Sequence, residues 1–284
     1  MKKILYPILA VVVFTVMQAV AGIAIYAVAL FKDPELLKRV AQTGDQSLLE
    51  SAVSTSAIAW GVILSGIVTV GIIALLKMVD WKTVLNFKMI NWKAGALAML
   101  GAICIIFFLD AIEEIIDLPN LMEDTFTNMS NSLIGAIGIG IIGPIIEEFI
   151  FREGVLGYML KGGVNKWVAI SASALAFGII HINPAQVPFA AAMGFIFGII
   201  YYKTGNIVIP CLLHMINNSV AVWQMYSMGE AAKDFSMVEW MGGLGVSACY
   251  VIPCFIIGYA LLYHFWRKHQ TPTYYQEQNE QTLA

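Results

Sequence analysis

The stretch Pro144-Ile145-Ile146-Glu147-Glu148-Phe149-Ile150-Phe151-Arg152 places two adjacent carboxylates and an arginine inside an apolar run covering about residues 133 to 160. A run of that length reads as a membrane-spanning helix, because about 20 apolar residues cross the hydrocarbon core of a bilayer. A charged side chain at the bilayer centre costs at least roughly 2.5 to 3.5 kcal/mol on insertion scales. An intramembrane Glu-Glu pair is therefore expected to mark a functional site, and the rest of the chain has to supply its partners.

The surrounding sequence has the same character. Of 284 residues, 59% are hydrophobic and only 12% charged, with a mean hydropathy of +0.78, whereas about a quarter of residues are charged in soluble domains. No polar segment is long enough to bury a core of its own. The expected fold is an all-α integral membrane protein, a single bundle with short loops and an intramembrane polar cavity. Apolar stretches near residues 5–31, 52–76, 94–109, 133–160, 165–183, 186–202, 206–225 and 241–266 predict about eight transmembrane helices. They divide into N-terminal helices over 1–132, a catalytic core over 133–225, and a last helix with a tail over 226–284. Met1-Lys2-Lys3 and Ala19-Val20-Ala21 fit a cleavable signal, but the apolar run continues to about Phe31, and retention as a first span is expected.

The basic residues orient the bundle. With a cytoplasmic N-terminus, Lys2, Lys3, Lys77, Lys82, Lys88, Lys93, Arg152, Lys161, Lys166, Lys203, Arg267 and Lys268 fall inside, and Lys32, Lys38, Arg39 and Lys233 outside. That is 12 against 4 of the 16 Lys and Arg residues, the asymmetry of the positive-inside rule, so both termini are expected in the cytoplasm, and a bacterial plasma membrane is the expected location. The segment bearing Asp110, Glu113, Glu114, Asp117, Glu123 and Asp124 reads as a solvated outer loop. Cys104, Cys211, Cys249 and Cys254 lie in apolar runs without metal-ligand spacing and are expected to be free thiols. Gly135, Gly138, Gly140 and Gly143 permit close helix approach, and Pro144 is expected to kink the span or begin a new helix.

Polar groups converge on three successive spans. His181 and His214 lie inside predicted helices, whereas His264 and His269 lie at the end of the last span and in the tail. Glu147 stands 14 residues before Lys161 and His181 stands 15 after Lys166, so each is roughly 21 to 22 Å from the same basic turn at about 1.5 Å per residue. His214 and Asn218 follow Asn206 by 8 and 12 residues, reaching roughly 12 and 18 Å from that side. Glu148 and Arg152, four apart, share a helical face and are expected to form a structural ion pair, while Glu147 points about 100° away and is free for chemistry. His214 and Asn218 likewise share a face, with Asn217 as a substitute. Phe177 precedes His181 by one helical turn and is placed to wall its ring.

Glu147-Glu148-x-x-x-Arg152, Phe177-x-x-x-His181 and His214-x-x-x-Asn218 together resemble the three motifs of the CPBP (Abi) family, the CAAX-protease and bacteriocin-processing intramembrane endopeptidases. The resemblance covers about residues 140 to 225 and shows no departure in the motif residues. It implies hydrolysis of peptide bonds in membrane-associated substrates. Glu147 and His181 would activate water, and His214 and Asn218 would donate to the oxyanion. No cofactor is required in that reading, although Glu147, His181 and His214 also form a set that suits Zn2+. The implied partners are the bilayer and a leader peptide, pheromone or prenylated tail, with no nucleic acid. Two other classes use intramembrane Glu, Arg and His: a proton-coupled transporter, and a non-catalytic scaffold for a sensor kinase or peptide exporter.

Overall fold

The computed structural model describes residues 2–45, 47–84, 86–87 and 90–272. Lys88 of the basic set and the tail after residue 272 lie outside the described residues. All regular structure among the described residues is helical. The eight apolar stretches become α1 (Lys2–Lys32), α2 (Thr55–Leu75), α3 (Trp92–Ile116), α4 (Leu133–Lys161), α5 (Lys166–Ile179), α6 (Gln186–Thr204), α7 (Val208–Met228) and α8 (Leu244–Lys268). Six of them are long and apolar enough to cross a membrane by length and composition: α1, α2, α3, α4, α6 and α8. The expected count of eight spans is therefore met by six, since α5 has only 14 residues and α7 interrupts its 21 residues with His214, Asn217 and Asn218.

Burial separates a central layer from a lipid-facing one. In the most apolar window of each helix, 61% of α6 and 44% of α4 is buried, against 11% of α1 and 17% of α8. α4 packs against α1, α2, α5, α6 and α7, and α3 packs against α6, α7 and α8. Ile67, Leu100, Val220 and Ile256 stay exposed on the perimeter, as expected where lipid rather than protein is the neighbour.

Polar side chains close the helix ends. Ser54, Asn91 and Asn165 cap α2, α3 and α5 by accepting from Ala57, Ala94 and Trp167 N–H, which satisfies donors that have no partner within the helix. Asn206 accepts from Val208 N–H at 2.8 Å and donates to the Thr83 carbonyl at 2.8 Å, tying the α6–α7 turn to the loop before α3. At the opposite end, Leu121 N–H donates to Asn183 Oδ1 at 2.9 Å and Asn183 donates to Asn120 at 2.8 Å.

One expectation is corrected here. The acidic segment does not begin as a loop, because α3 continues through Asp110, Glu113 and Glu114 to Ile116. Glu114 accepts from Ser236 and from the N–H groups of Met237 and Val238, so it caps the short helix Met237–Trp240 instead of lying in solvent. Asp124 pairs with Lys233 at 2.6 Å. Pro144 stands in the first turn of the α-helical segment Gly143–Glu148, as one of its two expected placements has it, within the longer helical run of α4. Around it the helix widens to π turns at Gly138–Ile142 and Phe149–Gly157, a form associated with functional sites. The proline lacks an N–H and crowds the carbonyl four residues back. The Gly140 carbonyl accepts from Ser219 Oγ at 3.2 Å instead, and the Ile139 carbonyl accepts from Asn218 Nδ2 at 3.2 Å. In a bilayer core no water is available for this task, so α7 supplies the donors.

The four cysteines are free, though they are not uniformly buried: Cys211 is buried and Cys249 exposed.

Candidate active site

The site is built on the α4 segment that carries the opening stretch. Glu148 and Arg152 are both fully buried, and their side chains meet in a bidentate pair of 2.8 and 3.2 Å, as residues four apart on a helix can. Buried charge is tolerated only when paired and hydrogen-bonded. Arg152 is further held by Ser173 of α5 at 3.4 Å, which itself donates to the Phe151 carbonyl at 2.8 Å. Its guanidinium also lies 5.0 Å from the Phe177 ring centroid and 5.7 Å from that of Phe197.

His214 of α7 lies across both glutamates. Its Nδ1 is 3.1 Å from Glu148 Oε1, and its Nε2 is 3.6 Å from Glu147 Oε2. A carboxylate only accepts, so Nδ1 carries the proton, and in the neutral ring Nε2 keeps a lone pair directed toward Glu147. Glu148 is therefore more than the arginine's counterion: it also orients a histidine. Glu147 is the accessible member, with 21% of its side chain exposed against 0% for Glu148.

His181 lies not inside a helix, as expected, but in the turn just beyond α5, which ends at Ile179; its Nδ1 donates to the Phe177 carbonyl at 2.8 Å, again leaving Nε2 as the acceptor. The following residue, Ile182, has φ of 59°, an unusual conformation for a β-branched side chain. Asn183, 1% exposed, pins this turn through its bonds to Asn120 and Leu121. Phe177 separates the two imidazoles, edge-on to His181 at 5.0 Å and to His214 at 5.5 Å. Among the described residues Glu147 makes no hydrogen bond to His181, and its nearest histidine is His214. Asn218 spends one amide N–H on the Ile139 carbonyl, accepts from Asn217 at 3.2 Å, and has a second N–H to offer.

The donor chemistry of Glu147, His181 and His214 suits zinc, and each imidazole has an oriented Nδ1 of the kind found behind metal-ligating histidines. Their placement does not, since among the described residues no three His, Cys, Asp or Glu side chains converge as a metal site.

Three participants are absent from the motif reading. Ser173 precedes Phe177 by four residues and shares its face, so spacing alone could have pointed to it. Glu153, the residue after Arg152, and Tyr201 form a second buried cluster: Tyr201 donates to Glu153 at 2.7 Å, Asp80 N–H donates at 3.3 Å, and Lys161 stands 3.6 Å away. Gly157 permits this, because a Cβ there would collide with the Tyr201 hydroxyl. A cavity of about 490 Å3 opens between α4 and α7, lined by residues including Ser132, Leu133, Ile137, Ile141, Ser219 and Trp223. Glu147, the two histidines and Asn218 do not line it, whereas Ser219, next to Asn218 in the chain, does.

Helices, an apolar perimeter and a buried Glu–Arg–His centre define an integral membrane protein with a polar site among its helices. Residues 129–220, about a third of the chain, match the family described as "Type II CAAX prenyl endopeptidase Rce1-like". It is 33% identical over 100 residues to "Membrane-embedded CAAX protease MroQ" of Staphylococcus aureus (strain USA300), covering 34% of this chain and 40% of that protein. It is 35% identical over 82 residues to "Putative membrane peptidase YdiL" of Bacillus subtilis (strain 168), covering 29% of this chain and 33% of that one. The matches thus span well under half of either relative. No solved structure is significantly similar to the chain.

Proposed function

We propose that the chain is an intramembrane endopeptidase that hydrolyses peptide bonds of membrane-associated peptides or proteins in a bacterial plasma membrane. The observation that carries this reading is the contrast within the Glu-Glu pair: Glu148 is saturated by Arg152 and His214, while Glu147 keeps an accessible carboxylate with His214 Nε2 at 3.6 Å. A general base needs that combination of access and orientation.

In this mechanism a water lies between Glu147 and His181 Nε2. Glu147 takes its proton as the oxygen attacks the scissile carbonyl. His214, once Nε2 has received that proton, and the second N–H of Asn218 donate to the oxyanion. Collapse breaks the C–N bond, and the leaving amine takes the proton. No metal step is needed for this sequence. The cavity between α4 and α7 suits an extended, largely apolar segment such as a leader or pheromone peptide.

Comparison of membrane peptide profiles from cells carrying wild type and Glu147→Ala tests the assignment. Peptides that disappear in the variant, with the purified wild type cleaving the same bond, support it. A variant that keeps every cleavage while remaining folded would point to the scaffold class instead. Metal analysis of active protein, with activity before and after chelation, tests the mechanism: stoichiometric zinc whose removal abolishes cleavage sinks the metal-free version.

A further inference from the structure

Another polar assembly lies at the end of the bundle opposite the α3–α4 connection, with Lys166 and Lys203 each 11 residues before the nearest motif residue, Phe177 and His214. Lys166 begins α5, Lys203 lies in the last turn of α6, and Trp266 lies near the end of α8. Both ammonium groups lie over one indole ring: Lys203 Nζ is 4.8 Å and Lys166 Nζ 5.5 Å from the Trp266 centroid. Trp167 and Tyr202 stack on that indole at 5.1 and 5.7 Å.

Lys203 is only 8% exposed, and its one hydrogen bond, of 3.3 Å, goes to the neutral hydroxyl of Thr271. Among the described residues no carboxylate lies within ion-pairing distance of either lysine, whereas Lys161, Lys233, Arg39 and Arg152 each have one. Two like charges held on one ring, one of them buried, call for an anion. Cation–π contact alone contributes little beside the cost of burying a lysine without a counter-charge. The interface of a membrane offers such an anion as the phosphate of an acidic lipid, and clustered lysines between helices together with interfacial tryptophans are the chemistry that holds a headgroup.

We propose that Lys166, Lys203 and the Trp266 ring form a binding site for the phosphodiester headgroup of an anionic lipid. The full chain is reconstituted in phosphatidylcholine vesicles containing brominated phosphatidylglycerol or brominated phosphatidylcholine, and tryptophan quenching is titrated. Brominated phosphatidylglycerol is expected to quench at about tenfold lower mole fraction, a preference lost in Lys166→Gln/Lys203→Gln and kept in Lys166→Arg/Lys203→Arg. If the double glutamine variant does not fold, Lys166→Gln alone serves, since Lys166 is only half-buried. Equal quenching by the two lipids, or a preference that survives the glutamine substitutions, overturns the proposal. So does inorganic phosphate altering the fluorescence where phosphatidylglycerol has no preference, which would make a free phosphate the ligand. A preference that emerges only after Glu277→Gln/Glu280→Gln also overturns it, because the chain's own tail would then be the occupant.

Discussion

α4 carries buried carboxylates in two places that differ in one respect. Around Glu153 each polar group is answered: the tyrosine hydroxyl, a backbone N–H and Lys161 surround one carboxylate, and Lys161 also reaches Asp80 at 3.5 Å. Around Glu147 and Glu148 the accounts are deliberately unequal. Glu148 holds Arg152 and His214 with no exposure, whereas Glu147 keeps a partly exposed side chain and a single distant histidine. On the mechanism proposed above, the same residue type on the same helix is an anchor where it is saturated and a reagent where it is not.

The largest effect is expected at the unsaturated carboxylate. Glu147→Gln removes the proposed base and is expected to lower cleavage by between about a hundredfold and ten thousandfold, with the unfolding midpoint in detergent nearly unchanged. A midpoint that falls in step with activity would show that Glu147 is an anchor too and would erase the contrast. Glu148→Gln reverses the pattern. It leaves Arg152 buried without a charge partner, a change that costs about 3 to 5 kcal/mol, and it frees His214 to turn. Folded protein should be scarce in that variant, and what remains should also be impaired. Equal folding and equal inactivity of the two glutamine variants would abolish the division between them.

Glu153→Gln tests the other side. The amide replaces one of the two accepting oxygens, which serve Tyr201 and Asp80 N–H separately, with a donor, and it loses the charge that faces Lys161, so a loss of about 1 to 3 kcal/mol is expected. Activity per folded molecule should be retained. A catalytic loss as deep as that of Glu147→Gln, without unfolding, would mean that the second cluster is part of the site.

Much of this was legible in the sequence for physical reasons that can be named. Charges in an apolar run are costly, so Glu147, Glu148 and Arg152 stand out, and four-residue spacing is enough to bring Glu148 against Arg152. The helical fold follows from hydropathy alone. What spacing within single helices does not contain is how neighbouring helices are rotated. That rotation puts His214, and not His181, on the glutamates, and it turns Asn218 toward a carbonyl left open next to Pro144. The π turns were hidden for a related reason: they depend on donors from α7 and leave no local signature beyond a glycine-rich approach to a proline. Glu153 carried the same signal as its neighbours and needed only the same question, what pairs with it.

The smallest expected effect separates the clusters by pH. Burial alone would raise the Asp80 carboxyl, but Lys161 outweighs it, together with Lys82 N–H and the Thr83 side chain, so that the carboxyl is held below its ordinary value of 3.8. Because the folded value is depressed, the stabilisation is fully present above the unfolded value near 4 and is lost as pH falls through the lower folded one. The side chain is 37% exposed, and solvent screening limits the contribution to less than about 1 kcal/mol. Asp80→Asn should therefore lower the unfolding midpoint slightly at neutral pH and converge with wild type in acid, where both lack the charge. The catalytic cluster is out of reach of this residue, so cleavage per folded molecule should follow the same pH profile in both proteins. A shifted profile in Asp80→Asn would mean that the anchor and the reagent are coupled along α4, and that the saturated end of the helix helps to set the reactivity of the open one.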